Sequence, residues 1–396
     1  MTDSINKRQA WMMTIGSFLA FFVFGVIDVL KGSTLSSVLE EMGFSYSLGG
    51  TIVMAAYFGF VVSTLCTGLI ADKGGKKLVL IIASVAYIIG VGGYAGAWSA
   101  WVFVFAFFFI GFGCGSVELG ANYIIIDVQA KNTGRYLNLL ATFYGVGSML
   151  APLYTYFLFK AGYTWRDVYK FGLTMPAILL LYFLIFRYPK TTASLPANDS
   201  NFRELLKTAF TWEKWLLYIL VFAYVAAEVS LATWLVEFLK EMRDIPVASG
   251  TTWLSAYFAG IMIGRLIGSF IVEQLGYIRM MVIVVVLSIV TVTLGVFGPR
   301  SMTFMLPLTG LFFAIVLPTA TAVLSTIIKT NIGAILGLFF CFVGLGGMAG
   351  PWLQGVLNDY IGLKLGMLTP ALFGILMLVC LFLIVKEERK KESAAF

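Results

Sequence analysis

The sequence predicts an all-α membrane protein: twelve transmembrane helices in two pseudo-symmetric six-helix bundles. Three observations predict it. Sixty per cent of the 396 residues are hydrophobic and only 12% are charged, whereas a soluble domain carries about a quarter. Apolar stretches recur at the ~20-residue length that crosses hydrocarbon, near 11–38, 49–71, 77–98, 101–127, 135–160, 168–187, 213–239, 249–275, 278–298, 302–328, 331–358 and 364–385. The chain also repeats itself at an offset near 200. Ala56-Tyr57-Phe58 returns as Ala256-Tyr257-Phe258, and GVGSMLAP from Gly145 to Pro152 returns as GLGGMAGP from Gly344 to Pro351. A repeat of this length means two structurally equivalent halves.

Each stretch reads as a helix, because lipid tolerates no unpaired backbone and the runs are too long and continuous for barrel strands. The first span carries Asp28 and Lys31, three residues apart on one helical face, so a mutual ion pair is one reading of both. The second carries Tyr57. Between the second and third, the chain reads Gly68-Leu69-Ile70-Ala71-Asp72-Lys73-Gly74-Gly75-Lys76-Lys77, where Gly75 permits a tight turn and Asp72 suits a helix end. The fourth span holds Glu118 and Asn122, and the fifth holds Asn138 ahead of its glycines and Pro152.

The stretch 188–212, with Pro189, Pro196 and Asn198, is the least hydrophobic internal segment. It reads as a cytoplasmic linker with a short amphipathic helix from Phe202 to Phe210. The expected domains are therefore a bundle over 1–187, the linker, and a second bundle over 213–396 with a short cytoplasmic tail. The seventh span places Glu228 exactly 200 positions after Asp28, with Trp234 six residues on; the eighth carries Tyr257 and Arg265. The turn after the eighth is a degraded copy of the earlier loop, with Gly268, Glu273, Gly276 and Arg279. Gly344, Gly346, Gly347, Gly350 and Pro351 mark the eleventh span as Gly145, Gly147 and Pro152 mark the fifth; such residues let helices approach and bend.

The net charge of +7 reflects topology and not a nucleic-acid partner. With the N-terminus in the cytoplasm, 18 cationic side chains fall inside and 7 outside, Lys31 and Arg265 being within spans; this is the positive-inside bias, with both termini cytoplasmic. The first apolar run is too long for a signal peptide and lacks a cleavage site, so it reads as a span. Cys66, Cys114, Cys341 and Cys380 lie singly in four spans and read as small packing residues. With no histidine, phosphate loop, zinc-ligand cluster or nucleophile elbow, the sequence points to neither an enzyme, a metal site nor a cofactor.

Ionisable groups in mid-span cost about 2.5–3.5 kcal/mol each on insertion scales and persist mainly where they pair or face a polar cavity. Asp28, Glu118 and Glu228 are therefore the leading site candidates, while Asp127, Glu237 and Arg265 lie nearer span ends. Glu118 and Asn122 are one turn apart and present a carboxyl and an amide on one face, a pair suited to a neutral polyol and not to an anion. Tyr57, Tyr257 and Trp234 stand out among the aromatics as rings against which a sugar's apolar face can lie. Two equivalent halves with a carboxylate at one place in each are the signature of alternating-access carriers.

The loop from Gly68 to Lys77 resembles the signature loop of the major facilitator superfamily, and the resemblance extends over essentially the whole chain. It implies that Gly68, Asp72, Gly75 and Lys76, with Asp127 and Arg135, gate the cytoplasmic side. The fourth-span Glu118-to-Asn122 spacing after Gly113-Cys114-Gly115, the Tyr57-Phe58-Gly59 element and Leu137-Asn138-Leu139 with Thr142-Phe143 are similar to the fucose:proton symporter family. That resemblance implies proton coupling and sugar binding at Asp28 and Glu118, with Asn122 and Asn138 as sugar ligands. Ala141 stands where the fucose carriers have glutamine, and Glu228 with Trp234 resembles a wider set of sugar permeases, which points away from fucose within the sugar class. The implied protein is a monomeric carrier of the bacterial inner membrane, its partners a small sugar-like solute, protons and the lipid bilayer. The alternative is a proton-driven exporter of amphiphilic or cationic compounds.

Overall fold

The computed structural model describes residues 7–129, 132–186, 210–328 and 332–394, and every regular element among them is helical. The expected linker, with its amphipathic helix, lies outside the described residues except at its last three positions. The first half runs α1 (Lys7–Met42), α2 (Tyr46–Gly74), α3 (Lys76–Ala95), α4 (Ala100–Val128), α5 (Thr133–Lys160), α6 (Trp165–Gly172) and α7 (Thr174–Ile185). The second half runs α8 (Trp212–Arg243), α9 (Val247–Leu275), α10 (Tyr277–Phe297), α11 (Met305–Phe313), α12 (Val316–Ile327), α13 (Ile332–Ile361), α14 (Leu363–Gly366) and α15 (Thr369–Ala394).

Ten stretches of the described residues are long and apolar enough to cross a membrane. The other two of the twelve spans are α5 and α9, of 28 and 29 residues, each about 42 Å long at 1.5 Å per residue. Two predicted spans are broken helices: α6 passes into α7 at Leu173, and α11 into α12 over Ala314 and Ile315. Pro176 and Pro318 each occupy the third helical position after the break, in the first turn, where a missing N–H costs little and where a continuing helix would have lost a bond.

The chain divides into two compact units. One takes in residues 1–44, 51–195 and 246–255; the other takes in 45–50, 196–245 and 256–396. Each unit repeats the other's backbone devices. Among the described residues the positive-φ positions fall into pairs about 200 apart: Gly43 with Asp244, Gly75 with Gly276, and Gly162 with Gly362. Gly75, at φ 84°, makes the turn between α2 and α3 that a side chain would strain. Asp244, at 51°, is the one non-glycine of the set, a residue type that tolerates the left-handed region.

A helix end leaves carbonyls without partners, and each unit answers with an arginine. In the first, Arg166 donates to the carbonyls of Ala95 (3.2 Å), the last residue of α3, and of Ala97 (2.8 Å) just beyond it. In the second, Arg243 donates to those of Gly295, Val296 and Gly298 at 2.8–3.1 Å, closing α10. Glu41 holds Arg166 in place and also accepts from the Trp165 indole at 2.6 Å.

Candidate functional site

Small residues decide which helices can touch, and thereby which polar side chains meet. A Cβ on Gly25 of α1 would lie 2.2 Å from the Tyr144 carbonyl, and one on Gly147 of α5 would lie 2.3 Å from that of Phe22. Only glycine allows so close an approach of backbones. It brings the Tyr144 hydroxyl to Asp28, where it donates to Oδ2 at 2.9 Å. The other carboxylate oxygen of Asp28 is ion-paired with Lys31, one turn along the same helix. Lys31 in turn lies over the Tyr57 ring, 4.9 Å from its centroid. The side chains of Lys31 and Asp28 are 10% and 21% exposed.

On α4, Gly111 and Gly115 do the same for α2: their Cβ atoms would meet the Ala56 and Phe60 carbonyls at 1.6 and 2.7 Å. Two turns further along, Asn122 donates to the Glu118 carboxylate at 3.2 Å and to the Glu118 carbonyl at 2.6 Å. The Cys114 thiol, a turn before Glu118, feels the charges of Asp28, Lys31 and Glu118 together. The first unit thus gathers Asp28, Lys31, Tyr57 and Tyr144 into one polar group and holds the Glu118–Asn122 pair on α4, with Cys114 within electrostatic range of both. The tightly held carboxylate of Asp28 is neutralised by Lys31. The Glu118–Asn122 pair offers a further carboxyl and amide at half-buried positions.

The structure places Asn138 apart from this group, exposed on α5 beside Thr142, whose hydroxyl bonds the Asn138 carbonyl at 2.9 Å. Asn138 precedes Tyr144 by six residues, about 120° away around the helix.

In the second unit the Tyr224 hydroxyl lies close to the Glu228 carboxylate and the Arg265 guanidinium. Tyr257 is fully buried and donates to the Glu228 carbonyl at 3.2 Å. Trp234 is fully buried as well. Its indole N–H donates to the Pro351 carbonyl at 3.1 Å and its ring meets Tyr46 edge-on, which makes it a packing element between α8 and α13.

At the α2–α3 turn, Lys76 is 9% exposed. It is ion-paired with Asp127 at the end of α4, and it donates to the Tyr123 carbonyl at 3.3 Å. Arg135 is exposed at the start of α5. Gly68 and Asp72 fall within α2; the Asp72 side chain lies outside the described residues. Lys31, Tyr144, Tyr224 and Arg265 join the candidate residues from the structure. The signal available for Lys31 and Arg265 was a cation in mid-span; none existed for the tyrosines, which are two of 18.

Residues 13–254 and 238–396 match the family model described as the Major Facilitator Superfamily. The glucose/galactose transporter of Brucella abortus biovar 1 (strain 9-941) is 24% identical over 390 residues, 93% of each chain. Among solved structures, a variant of the nucleoside transporter NupG superposes with a TM-score of 0.80 at 17% identity, over 96% of this chain and 99% of that one. A variant of the E. coli fucose:proton symporter superposes at 0.63 and 18% identity, over 95% and 99%. At these identities the superpositions establish the shared helical fold.

Proposed function

The chain belongs to the major facilitator superfamily, and from that premise we propose that it takes up a small neutral sugar or close relative, coupled to protons by alternating access. One observation carries the reading: a membrane-buried Asp28–Lys31 pair, braced by Tyr144 and Tyr57, in the same unit as the Glu118–Asn122 pair. Buried charge persists in a bilayer chiefly where it binds, relays or pairs. Protonating Asp28 would dissolve its pairing with Lys31, and that gives proton binding a direct structural consequence. Glu118 is the second proton-linked carboxyl.

The substrate class rests on chemistry and on kinship. Asp28 is matched by Lys31 in the first unit, and the second holds Glu228 near Arg265, so a neutral solute leaves these pairs undisturbed. Glu118 and Asn122 would bond hydroxyls, and Tyr57 would offer an apolar face; Glu228 and Tyr257 complete the proposed set. The Brucella abortus relative is a glucose/galactose transporter. The proposed gate consists of the Gly68–Lys76 loop with Asp127 and Arg135, in which the Lys76–Asp127 pair ties α3 to α4. We place the protein as a monomer in a bacterial inner membrane, both termini cytoplasmic, with halves at 1–187 and 213–396.

Uptake into proteoliposomes tests this directly. Labelled glucose or galactose should accumulate with an acid-outside gradient, equally in sodium and in choline buffer, and unlabelled sugars should compete. Sodium-dependent accumulation contradicts proton coupling. Competition by a hydrophobic cation with none by sugars contradicts the sugar class and installs the exporter.

A further inference from the structure

A second polar cluster lies in the other unit, on a helix face that the proposed transport site does not use. Helices α8 and α13 pack backbone to backbone: Cβ atoms on Gly346 and Gly350 would each lie 2.3 Å from a carbonyl, of Phe222 and Ala226 respectively. Continued at helical spacing, that stripe runs through 230, 233 and 237 on α8 and through 354 and 358 on α13. All five positions are polar and more than nine-tenths buried: Ser230 is 0% exposed, Thr233 2%, Glu237 5%, Gln354 0% and Asn358 2%. Glu228 points roughly 160° away from Ser230 around α8, so this seam is distinct from the Glu228 neighbourhood.

The seam is under-satisfied. Ser230 Oγ, Thr233 Oγ1, Gln354 Oε1 and both amide atoms of Asn358 have no hydrogen-bond partner among the described residues. Some buried hydroxyls of the equivalent helices bond their own backbone, as Thr155 does to the Ala151 carbonyl at 3.1 Å, while Ser33 and Ser36 on α1 do not. Gln354 commits its nitrogen to the Met367 sulfur at 3.3 Å, which leaves the oxygen. Native interiors rarely leave so many such groups unpaired in one place. The Glu237 carboxylate shares the stripe, with the Tyr46 phenol against it.

The internal repeat supplies a control. At the equivalent seam of α1 and α5 the residues are Leu30, Ser33, Ser37, Thr155 and Phe159, with no carboxylate and no amide. The carboxylate and the two amides of the second half are thus an addition to a seam that packs without them.

We propose that this seam binds a small monovalent cation, sodium by its hardness, through Glu237 and the oxygens of Asn358, Gln354, Ser230 and Thr233. The donors are all oxygen, the set a hard cation takes. A single carboxylate balances one positive charge, and a net-neutral site is what a bilayer tolerates. The bound ion ties α8 to α13. This site stands independently of the sugar and proton reading.

The test is binding of radiolabelled sodium to the purified full-length protein in detergent, with melting followed in sodium chloride and in choline chloride at equal ionic strength. The expected result is saturable binding of one ion per chain, displaced by unlabelled sodium but not by choline, and a melting temperature raised by sodium. Glu237→Gln and Asn358→Leu should each weaken binding at least tenfold, Thr233→Val by less, and Ser33→Ala not at all. Absence of saturable sodium binding by folded wild-type protein overturns the proposal without recourse to any variant, and leaves water in the seam. Binding retained in folded Glu237→Gln and Thr233→Val but lost in Asp28→Asn overturns it too, by moving the ion to the first unit.

Discussion

At Asp28 two roles meet in one carboxylate: it neutralises Lys31, and in the proposed mechanism it takes up a proton. The roles separate by mutation. Asp28→Asn leaves the Lys31 ammonium, 10% exposed, without its counter-ion, and breaking a buried pair costs on the order of 3–5 kcal/mol. We expect a markedly lower melting temperature for Asp28→Asn and recovery of most of the loss in Asp28→Asn with Lys31→Met, which removes both charges. The double variant should still fail to accumulate substrate against a gradient. Equal melting of Asp28→Asn and wild type would mean that the pair contributes nothing to stability. At Asn122 the expectation concerns affinity: losing one partner in a buried polar site costs about 1–3 kcal/mol, so Asn122→Ala should weaken sugar binding about tenfold or more. Cys380→Ala, in α15, should bind as wild type. Calorimetric titration with the transported sugar reads both.

Among the helices, the α1–α5 contact is the one that brings Tyr144 to Asp28. Gly147 faces the Phe22 carbonyl at a distance no Cβ accepts, and the obstacle is backbone, which cannot rotate away. Gly147→Ala should therefore destabilise by about 1–3 kcal/mol and weaken uptake by pulling Tyr144 from Asp28. Gly134→Ala, at the start of α5 with open space around it, should change stability by no more than about 0.5 kcal/mol. Thermal melts of the two variants, run beside uptake, test whether close approach or glycine content matters.

The same contact shows why some of the site was legible in the sequence and some was not. Residues on one helix have a known angular relation, so the Asp28–Lys31 and Glu118–Asn122 pairs followed from spacings of three and four. Tyr144 at Asp28 depends on which face of α5 meets α1, and that is set by where glycines admit a backbone, a property of two helices at once. Trp234 was marked by its nearness to Glu228 in sequence, yet six residues on a helix carry a side chain about 120° around and 9 Å along, here to the Pro351 carbonyl. The polar stripe of α8 and α13 escaped for the same reason, because its members are separated by more than a hundred positions.

For the whole molecule, the duplication extends from sequence to backbone. The turns at Gly75 and Gly276, and the caps at Gly43 and Asp244, recur within one residue of the offset that relates Asp28 to Glu228. Hydropathy and length mark ten spans among the described residues, because in lipid each run must satisfy its backbone internally, and length with the internal repeat adds α5 and α9. The halves differ where chemistry differs: the acid is partnered by Lys31 within its own helix in the first, and lies with Arg265 of the neighbouring span around Tyr224 in the second. The central claim is that buried carboxyls of the first half couple protons to sugar movement. Its most direct measurement compares, in proteoliposomes, sugar counterflow without a gradient and sugar accumulation with an acid-outside gradient, for wild type and Glu118→Gln. The account predicts that Glu118→Gln retains counterflow and loses accumulation; accumulation at the wild-type level in both Glu118→Gln and the Asp28→Asn, Lys31→Met double variant would contradict it.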